Sequence, residues 1–126
     1  MILDTNALSA LAQKEENLIR RLGKAERLAI TLISIGEFTY GARQSNARDE
    51  IERWMREQLL TRVEILFPDL TTVEYYAEIR LELKRSGTPI PANDVWIAAL
   101  ARQHAMPLIS LDRHFDAVKN LTRISW

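Results

Sequence analysis

Residues 90–118, IPANDVWIAALARQHAMPLISLDRHFDAV, predict a helix that leads directly into a short buried strand. Asn93 or Asp94 is expected to cap this helix, which continues to about His104. The apolar run at 107–111 predicts the strand, and a short helical turn is predicted after it. A helix followed by a buried apolar strand is typical of α/β folds.

The rest of the chain repeats this alternation of helices and apolar runs. Strands are predicted at 1–3, 27–30, 63–67 and 122–125. Helices are predicted at about 5–13, 15–22, 33–43 and 47–60, then from a cap at Thr71 or Thr72 to about Arg85, with a last turn at 115–118. Such alternation implies parallel strands joined by right-handed crossovers. The predicted fold class is therefore α/β: a three-layer sandwich with a mostly parallel central sheet of about five strands.

Size and composition narrow the class of protein. A length of 126 residues predicts one domain spanning 1–126. Seventeen bases balance seventeen acids, so any contact with a nucleic acid must use a local basic surface. The absence of cysteine excludes disulfides, thiol chemistry and cysteine-ligated zinc, and it fits a cytoplasmic protein. No segment approaches the roughly 20 apolar residues that a membrane span requires, so no membrane partner is expected.

Four acidic residues lie where predicted strands give way to helices. Asp4 ends the run MILD, and Glu37 lies in ISIGEF, shortly after the second strand. Asp94 opens the helix described above, and Asp112 follows the strand in MPLISL. The carboxyl ends of parallel strands meet along one crevice, so these side chains are expected to lie close together. The sequence therefore predicts a cluster of carboxylates at this edge of the sheet.

Clustered carboxylates predict a divalent cation. Two of them about 4 Å apart repel each other by roughly 4 kcal/mol at an effective dielectric near 20. Either some are protonated, with raised pKa values, or a cation neutralises them. Oxygen ligands without cysteine favour Mg²⁺ or Mn²⁺. Such a site suits hydrolysis of a phosphodiester by water, and no protein nucleophile is evident.

Each acid also has a purely structural interpretation. Asp4, Asp94 and Asp112 could serve only as helix caps, and Glu37 could be an exposed helical residue. Two other functions remain open at this point. In a phosphotransfer domain of the receiver type, Asp4 or Asp112 would be the phosphorylated nucleophile. In a non-catalytic binding module, the acids would dock a basic peptide.

Several segments, in order, resemble the PIN-domain family, and within it the VapC-type toxins of bacterial and archaeal toxin–antitoxin pairs. They are ILDTNALSAL, ISIGEFTYGA and the long segment at 90–118, and the resemblance extends to the closing LTRISW. It implies an endoribonuclease that depends on Mg²⁺ or Mn²⁺. By position, Asp4, Glu37 and Asp94 match the family's core acids, and Asp112 matches a fourth, more variable one. Asp4, Asp94 and Asp112 are the metal ligands that the resemblance implies.

The resemblance also implies supporting residues. Thr5 and Asn6 match polar residues beside the first acid, where Asn6 could position a water or a carboxylate. Ser110 stands where a Thr is common, which preserves the hydroxyl group. His114 stands where some members have another acid. This leaves open whether the fourth acid alone completes the site or Asp116 helps.

Partners follow from the same resemblance. VapC-type toxins act on RNA, commonly form homodimers, and are held inactive by a cognate VapB-type antitoxin whose C-terminal segment reaches the acidic site. An apolar stripe on the helix at 47–60 is a candidate groove wall for such a segment, or it faces the domain's own core. Five cations on predicted helices could guide phosphates or form only a solvated face: Arg43, Arg48, Arg80, Lys84 and Arg85.

Overall fold

Five short strands form the central sheet of the computed structural model, which describes residues 1–126. In chain order they are β1 (Ile2–Leu3), β2 (Ala29–Thr31), β3 (Glu64–Leu66), β4 (Leu108–Ile109) and β5 (Arg123–Ile124). All neighbouring strands are parallel, in the spatial order β3-β2-β1-β4-β5. The central strand β1 pairs Ile2 with Ala29 on one side and with Leu108 on the other.

Six α-helices connect the strands and cover the sheet. They are α1 (Thr5–Ala12), α2 (Glu16–Leu22), α3 (Leu32–Arg43), α4 (Arg48–Trp54), α5 (Leu70–Ser86) and α6 (Ala92–Gln103). A π-helical turn, Met55–Leu59, continues α4, and a 3₁₀ turn, Arg113–Ala117, follows β4. None of the helices combines the length and the apolar character needed to cross a membrane. The predicted α/β fold class is confirmed.

The core consists of two apolar clusters on opposite faces of the sheet. Successive side chains of a strand point to opposite faces. Ile2 and Leu108 therefore join the cluster beneath α5 and α6, whereas Leu3 and Ile109 join the cluster beneath α1, α2 and the π turn. All four side chains are fully buried. Helices, sheet and helices thus form the three layers that the alternating pattern predicts.

The predicted start of α5 is wrong. Its cap is Asp69, whose Oδ1 accepts a hydrogen bond from the Thr72 N–H at 2.9 Å. The Thr72 hydroxyl accepts the Asp69 N–H at 2.9 Å, which completes a reciprocal capping box. Thr72 belongs to the first turn and Thr71 makes no cap. The helix ends at Gly87, whose left-handed φ of 68° suits a glycine.

The predicted cap of α6 is also wrong. This helix begins at Ala92 and follows Pro91, so neither Asn93 nor Asp94 is the capping residue. Both lie in the first turn, where the helix dipole favours a negative charge. Their side chains are therefore available for contacts outside the helix. Because the Asp94 carboxylate does not cap the helix, it is free to take part in the site described below.

The apolar stripe of α4 and the π turn packs against the domain's own core. Met55 and Leu59 are buried, and Ile51 and Trp54 lie partly buried against the same cluster. The ring of Trp54 meets that of Phe38 edge-on, with centroids 6.1 Å apart. The stripe is therefore occupied within the chain, in agreement with the structural interpretation of this helix.

Candidate metal centre

The acidic residues converge where the strand order of the sheet reverses. The chain runs outward from β1 through β2 to β3, then returns to β4 and β5 on the other side of β1. At such a reversal a crevice opens at the carboxyl ends of the two central strands. Asp4 directly follows β1 and Asp112 closely follows β4. The helices α3 and α6 carry Glu37 and Asp94 to the same crevice.

Asp4 lies deep in this crevice and is only 3% exposed. Its Oδ1 accepts a hydrogen bond from the Ala7 N–H at 2.8 Å, so Asp4 caps α1. Its Oδ2 accepts a hydrogen bond from the Ser110 hydroxyl, which in turn accepts the Asp112 N–H at 2.9 Å. A carboxylate has about four lone-pair sites, so capping does not exhaust its capacity to bind a cation.

Burial raises the pKa of Asp4 to about 6. The hydrogen bonds from Ser110 and Ala7 oppose this rise, whereas the carboxylates of Asp112 and Asp94 add to it. Mutual repulsion between clustered carboxylates is one cause of raised pKa values. In this structure the loss of hydration is the larger cause, and repulsion adds to it.

Asp94 and Asp112 lie together with His114 between their carboxylates. The His114 Nδ1 is 3.2 Å from Oδ1 of Asp112 and 3.6 Å from Oδ2 of Asp94. Burial raises the pKa of Asp94, the carboxylates of Asp112 and Glu37 raise it further, and His114 opposes them. Asp112 Oδ1 also accepts the His114 backbone N–H at 2.8 Å, so Asp112 caps the 3₁₀ turn.

Glu37 is held from two sides. Its Oε1 accepts a hydrogen bond from the Thr5 hydroxyl at 2.8 Å, and its Oε2 accepts one from the Asn93 side-chain amide at 3.3 Å. These donors are the sequence neighbours of Asp4 and Asp94. Glu37 is therefore not the freely exposed helical residue of the structural interpretation. The sequence predicts Asn93 only as a possible cap; its place directly before Asp94 is the signal that could reveal this contact.

Two supporting candidates lie outside the acidic cluster. Asp116 is exposed and binds Arg123 in a bidentate manner, at 2.7 Å to Nε and 3.0 Å to Nη2, which lowers its pKa. Arg123 also donates to the Ser110 carbonyl oxygen at 3.0 Å, so this pair braces the end of β4. Asn6 is exposed, and its amide has no hydrogen-bond partner within the protein. It lines a surface cavity beside Asp112.

The residues present fit a hard divalent cation. Donor atoms of Asp94, Asp112 and His114 all lie within 4.8 Å of one another. Asp94 and Asp112 lie close enough to Asp4 for their carboxylates to raise the pKa of the Asp4 carboxyl. A cation would favour the ionised forms that burial and repulsion disfavour. The cluster can therefore hold a metal ion, and its predominance of oxygen donors matches Mg²⁺ and Mn²⁺ better than softer metals.

Two surface cavities open on either side of α1 and reach this cluster. One, of about 350 Å³, is lined by Thr5 and Glu37 among others. The other, of about 480 Å³, is lined by Asn6 and Asp112 among others. Ser9 of α1 borders both cavities. The acidic cluster is thus open to an extended ligand from two directions.

Ser110→Ala tests the bridge between Asp4 and the Asp112 backbone. We expect the free energy of unfolding to fall by about 2 kcal/mol near pH 8, where Asp4 is ionised, because hydrogen bonds to charged groups contribute about 1.5–3 kcal/mol. Near pH 4, below the Asp4 pKa of about 6, the loss should be nearer 1 kcal/mol. Urea denaturation at both pH values measures the two losses. Ser45→Ala is the control, because it removes an exposed hydroxyl that accepts only a backbone N–H, that of Ala47, and no charged partner. Equal losses at both pH values would contradict the assignment.

Several known proteins are similar to this chain in sequence and in fold. A family model of the PIN domain matches residues 1–121. Ribonuclease VapC5 of Mycobacterium tuberculosis is 30% identical over 121 residues, which cover 93% of this chain and 86% of the relative. The tRNA(fMet)-specific endonuclease VapC of Salmonella typhimurium is 29% identical over 128 residues, covering 99% and 96% of the two chains.

Solved structures that superpose on this chain belong to the same group as the relatives found by sequence. The crystal structure of DNA-bound VapBC from Salmonella typhimurium superposes with a TM-score of 0.88 at 28% identity and covers 99% of this chain and 96% of that chain. VapBC2 from Rickettsia felis, bound to a DNA fragment from its promoter, gives a TM-score of 0.87 at 28% identity, with 99% and 97% covered. The chain belongs to the PIN domain family and, within it, to the VapC group.

Proposed function

We propose that this protein is a metal-dependent endoribonuclease toxin that hydrolyses phosphodiester bonds of RNA. One observation carries the proposal: Asp4, Glu37, Asp94 and Asp112 come from distant segments and meet in one crevice. The relatives named ribonuclease or endonuclease support the class of reaction. RNA and a partner protein of the antitoxin class both belong to the cytoplasm, which we propose as the place of action.

The proposed cofactor is Mg²⁺ or Mn²⁺, held by Asp4, Asp94 and Asp112. When bound, the metal would supply positive charge that activates water and stabilises charge developing on the phosphate. Ser110 keeps Asp4 oriented by its hydrogen bond, and the first turn of α6 favours a negative charge at Asp94. The three carboxylates come from separate elements, so the folded chain fixes their spacing before any ligand arrives.

We assign Glu37 as the general base that accepts a proton from the attacking water. Thr5 and Asn93 each occupy one of its oxygens, which fixes the carboxylate and leaves lone pairs for accepting a proton. As the water oxygen bonds to phosphorus, one ester P–O bond breaks and one water proton passes to Glu37. The departing ester oxygen takes a proton from solvent, and Glu37 later returns its proton to solvent. The products are a phosphate monoester and a free hydroxyl group. The chain needs no covalent intermediate for this reaction.

We propose a cognate VapB-type antitoxin as the inhibitor and a homodimer as the active assembly. Toxin–antitoxin complexes among the solved structures, such as VapBC-1 from nontypeable Haemophilus influenzae, support the first part. Large apolar side chains exposed around the start of α5 support the second, because such exposure is typical of interaction surfaces. Leu70 is 86% exposed and Phe67 is 59% exposed.

Cleavage by the free protein is the direct test of this function. Purified protein should cut single-stranded RNA with Mn²⁺ or Mg²⁺, should stop on addition of EDTA, and should recover when excess metal is restored. Endonucleolytic products, resolved by sequencing of RNA ends, would exclude a contaminating exonuclease. Metal-replete protein that leaves RNA intact would overturn the proposal.

Neither rival function gains support from the site. A receiver-type phosphotransfer domain generally places a lysine beside its acids, whereas no lysine forms an ion pair with any of the four. Asp4 is also buried, with both oxygens already hydrogen-bonded. Incubation with acetyl phosphate and an intact-mass measurement would detect a phosphoaspartate. A non-catalytic acidic module predicts partner binding without any cleavage by the free protein.

A further inference from the structure

One of the two cavities at the acidic centre shares a tryptophan, Trp126, with a further cavity. The cavity beside Asp112 is bordered by Asn6, Gln13 and Trp126. Trp126 also borders the next cavity, of about 320 Å³, which is lined by Arg20 and Arg21 of α2 and by Lys24 just after it. The two cavities therefore adjoin at Trp126, and together they define a surface track with Trp126 in the middle and Asp112 at one end.

Trp126 has the character of a stacking platform. It is partly buried, because it packs against the apolar cluster beneath α1 and α2. The part that borders both cavities remains accessible. An anchored indole with an accessible side is suited to stacking on a nucleobase, and such stacking tolerates any base sequence. The other two tryptophans are already engaged: Trp54 meets Phe38 and Trp96 stacks on Tyr76 at 4.1 Å.

Polar groups beside Trp126 can read a base edge. Asn6 and Gln13 are exposed, and neither side-chain amide has a hydrogen-bond partner within the protein. Amides of this kind donate to and accept from nucleobase edges. Glu15 borders the same cavity and would repel a phosphate there. The portion of the track next to Trp126 is thus suited to a base rather than to the backbone.

The far end of the track is basic. Arg20, Arg21 and Lys24 border the cavity beyond Trp126, and none of them forms an ion pair with an acid. By contrast, Arg43 and Arg48, two of the cations that the sequence offers as phosphate guides, are both paired with Glu52. These three unpaired cations form a local basic surface, which a chain of zero net charge needs for contact with a nucleic acid, and it adjoins the cavity at the acidic centre.

We propose that single-stranded RNA bound at the acidic centre extends along this track. One base next to the scissile phosphate stacks on Trp126 within reach of Asn6 and Gln13, and the following phosphates contact Arg20, Arg21 and Lys24. The inference rests on the proposed function, because it requires an RNA strand at the acidic centre. It assigns a binding surface for nucleotides that are not themselves cleaved.

Salt-dependent binding tests the basic end. The full chain carrying Asp94→Asn, with Mg²⁺, is titrated with a short, labelled single-stranded oligoribonucleotide of mixed sequence. Adding Arg20→Gln, Arg21→Gln and Lys24→Gln should reduce the slope of log K against log salt by about 2, since each phosphate contact with a single strand contributes about 0.7. The matched control changes three other exposed, unpaired arginines to Gln: Arg53, Arg56 and Arg62. Equal effects of the two triple variants would overturn the inference.

Tryptophan fluorescence tests the stacking position. The same oligonucleotide should quench the Asp94→Asn protein, and this quenching should vanish in Asp94→Asn/Trp126→Leu while Trp54 and Trp96 still emit. Trp126→Leu should weaken binding roughly 5- to 100-fold, whereas Trp126→Phe should largely preserve it. Melting temperatures verify that each variant is folded. Quenching that persists without Trp126, or equal affinity of the Leu and Phe variants, would overturn the inference.

Failure of the inference differs from failure of the proposed function. If the wild-type protein cuts RNA but binding is unaffected by the substitutions of Trp126 and of Arg20, Arg21 and Lys24, the track is overturned and the nuclease function stands. Wild-type protein that cuts no RNA overturns the nuclease. In that case quenching of Trp126 and loss of salt dependence still support an RNA-binding track, and their absence still overturns it.

Discussion

Asp94→Asn protein is expected to fold normally and to cut RNA at least about 100-fold more slowly than the wild type. Loss of even an outer partner of a metal ligand typically reduces metal affinity or activity by about 10- to 100-fold, and Asp94 is proposed as a direct ligand. Asn preserves the shape of the side chain. Asp94 does not cap α6, so its loss should not unfold the helix. Initial cleavage rates with saturating Mn²⁺ measure the effect, and expression of this variant should no longer arrest growth.

Comparison of three further acids makes this test specific. Asp112→Asn should lose activity to a similar degree, because Asp112 shares the site with Asp94. Asp116→Asn should remain active, because both oxygens of Asp116 are bound by Arg123. Asp49→Asn, in the first turn of α4, controls for loss of an exposed acid far from the cluster. Inactivity of the Asp116 variant with activity of the Asp112 variant would reverse the assignment of the fourth acid.

The metal-free protein is expected to lose stability as the pH rises from about 4 to about 6. The pKa of Asp4 is raised from 3.8 to about 6, so the folded state keeps a proton that the unfolded state releases in this window. At 1.36 kcal/mol per pKa unit, the full cost of ionising Asp4 is roughly 3 kcal/mol above pH 6. The raised pKa of Asp94 acts in the same direction. Thermal melting in EDTA across this range measures the decline.

Addition of Mg²⁺ or Mn²⁺ should reverse this loss above pH 6 and have little effect near pH 4, where protonated carboxyls bind metal poorly. At about 100-fold over Kd, the ion should contribute roughly 2.7 kcal/mol, or about 10 °C in melting temperature. Asp4→Asn should remove the larger part of the pH dependence, leaving the contribution of Asp94, and most of the metal effect, and should melt higher than the wild type in EDTA above pH 6. Asn can still accept the Ala7 N–H as a cap. A wild-type pH profile in the Asp4→Asn protein would refute the assignment, and Asp49→Asn provides the unchanged reference.

Local sequence patterns predicted the elements well because their causes are local. Ile2 and Leu3 of the run MIL are fully buried, and a short apolar run of this kind is typical of a strand in a parallel sheet that is covered on both faces. The helix with Ile51, Trp54 and Leu59 follows from its apolar spacing. The caps were predicted less well. Asp69, Thr71 and Thr72 can all cap a helix, and the contact with the folded backbone decides which one does.

The sequence by itself determined the α/β alternation and pointed to four acids, of which Asp4 and Asp112 directly end apolar runs. Both depend on residue type and spacing within short segments. Only the tertiary structure decided that β1 lies beside β4, which brings Asp4 to Ser110 across more than a hundred residues. It also decided that burial is the main cause of the raised pKa of Asp4, and that Asp116 turns to Arg123. Hydration, pairing and distance between remote segments are properties of the folded chain, because no spacing along the sequence encodes them directly.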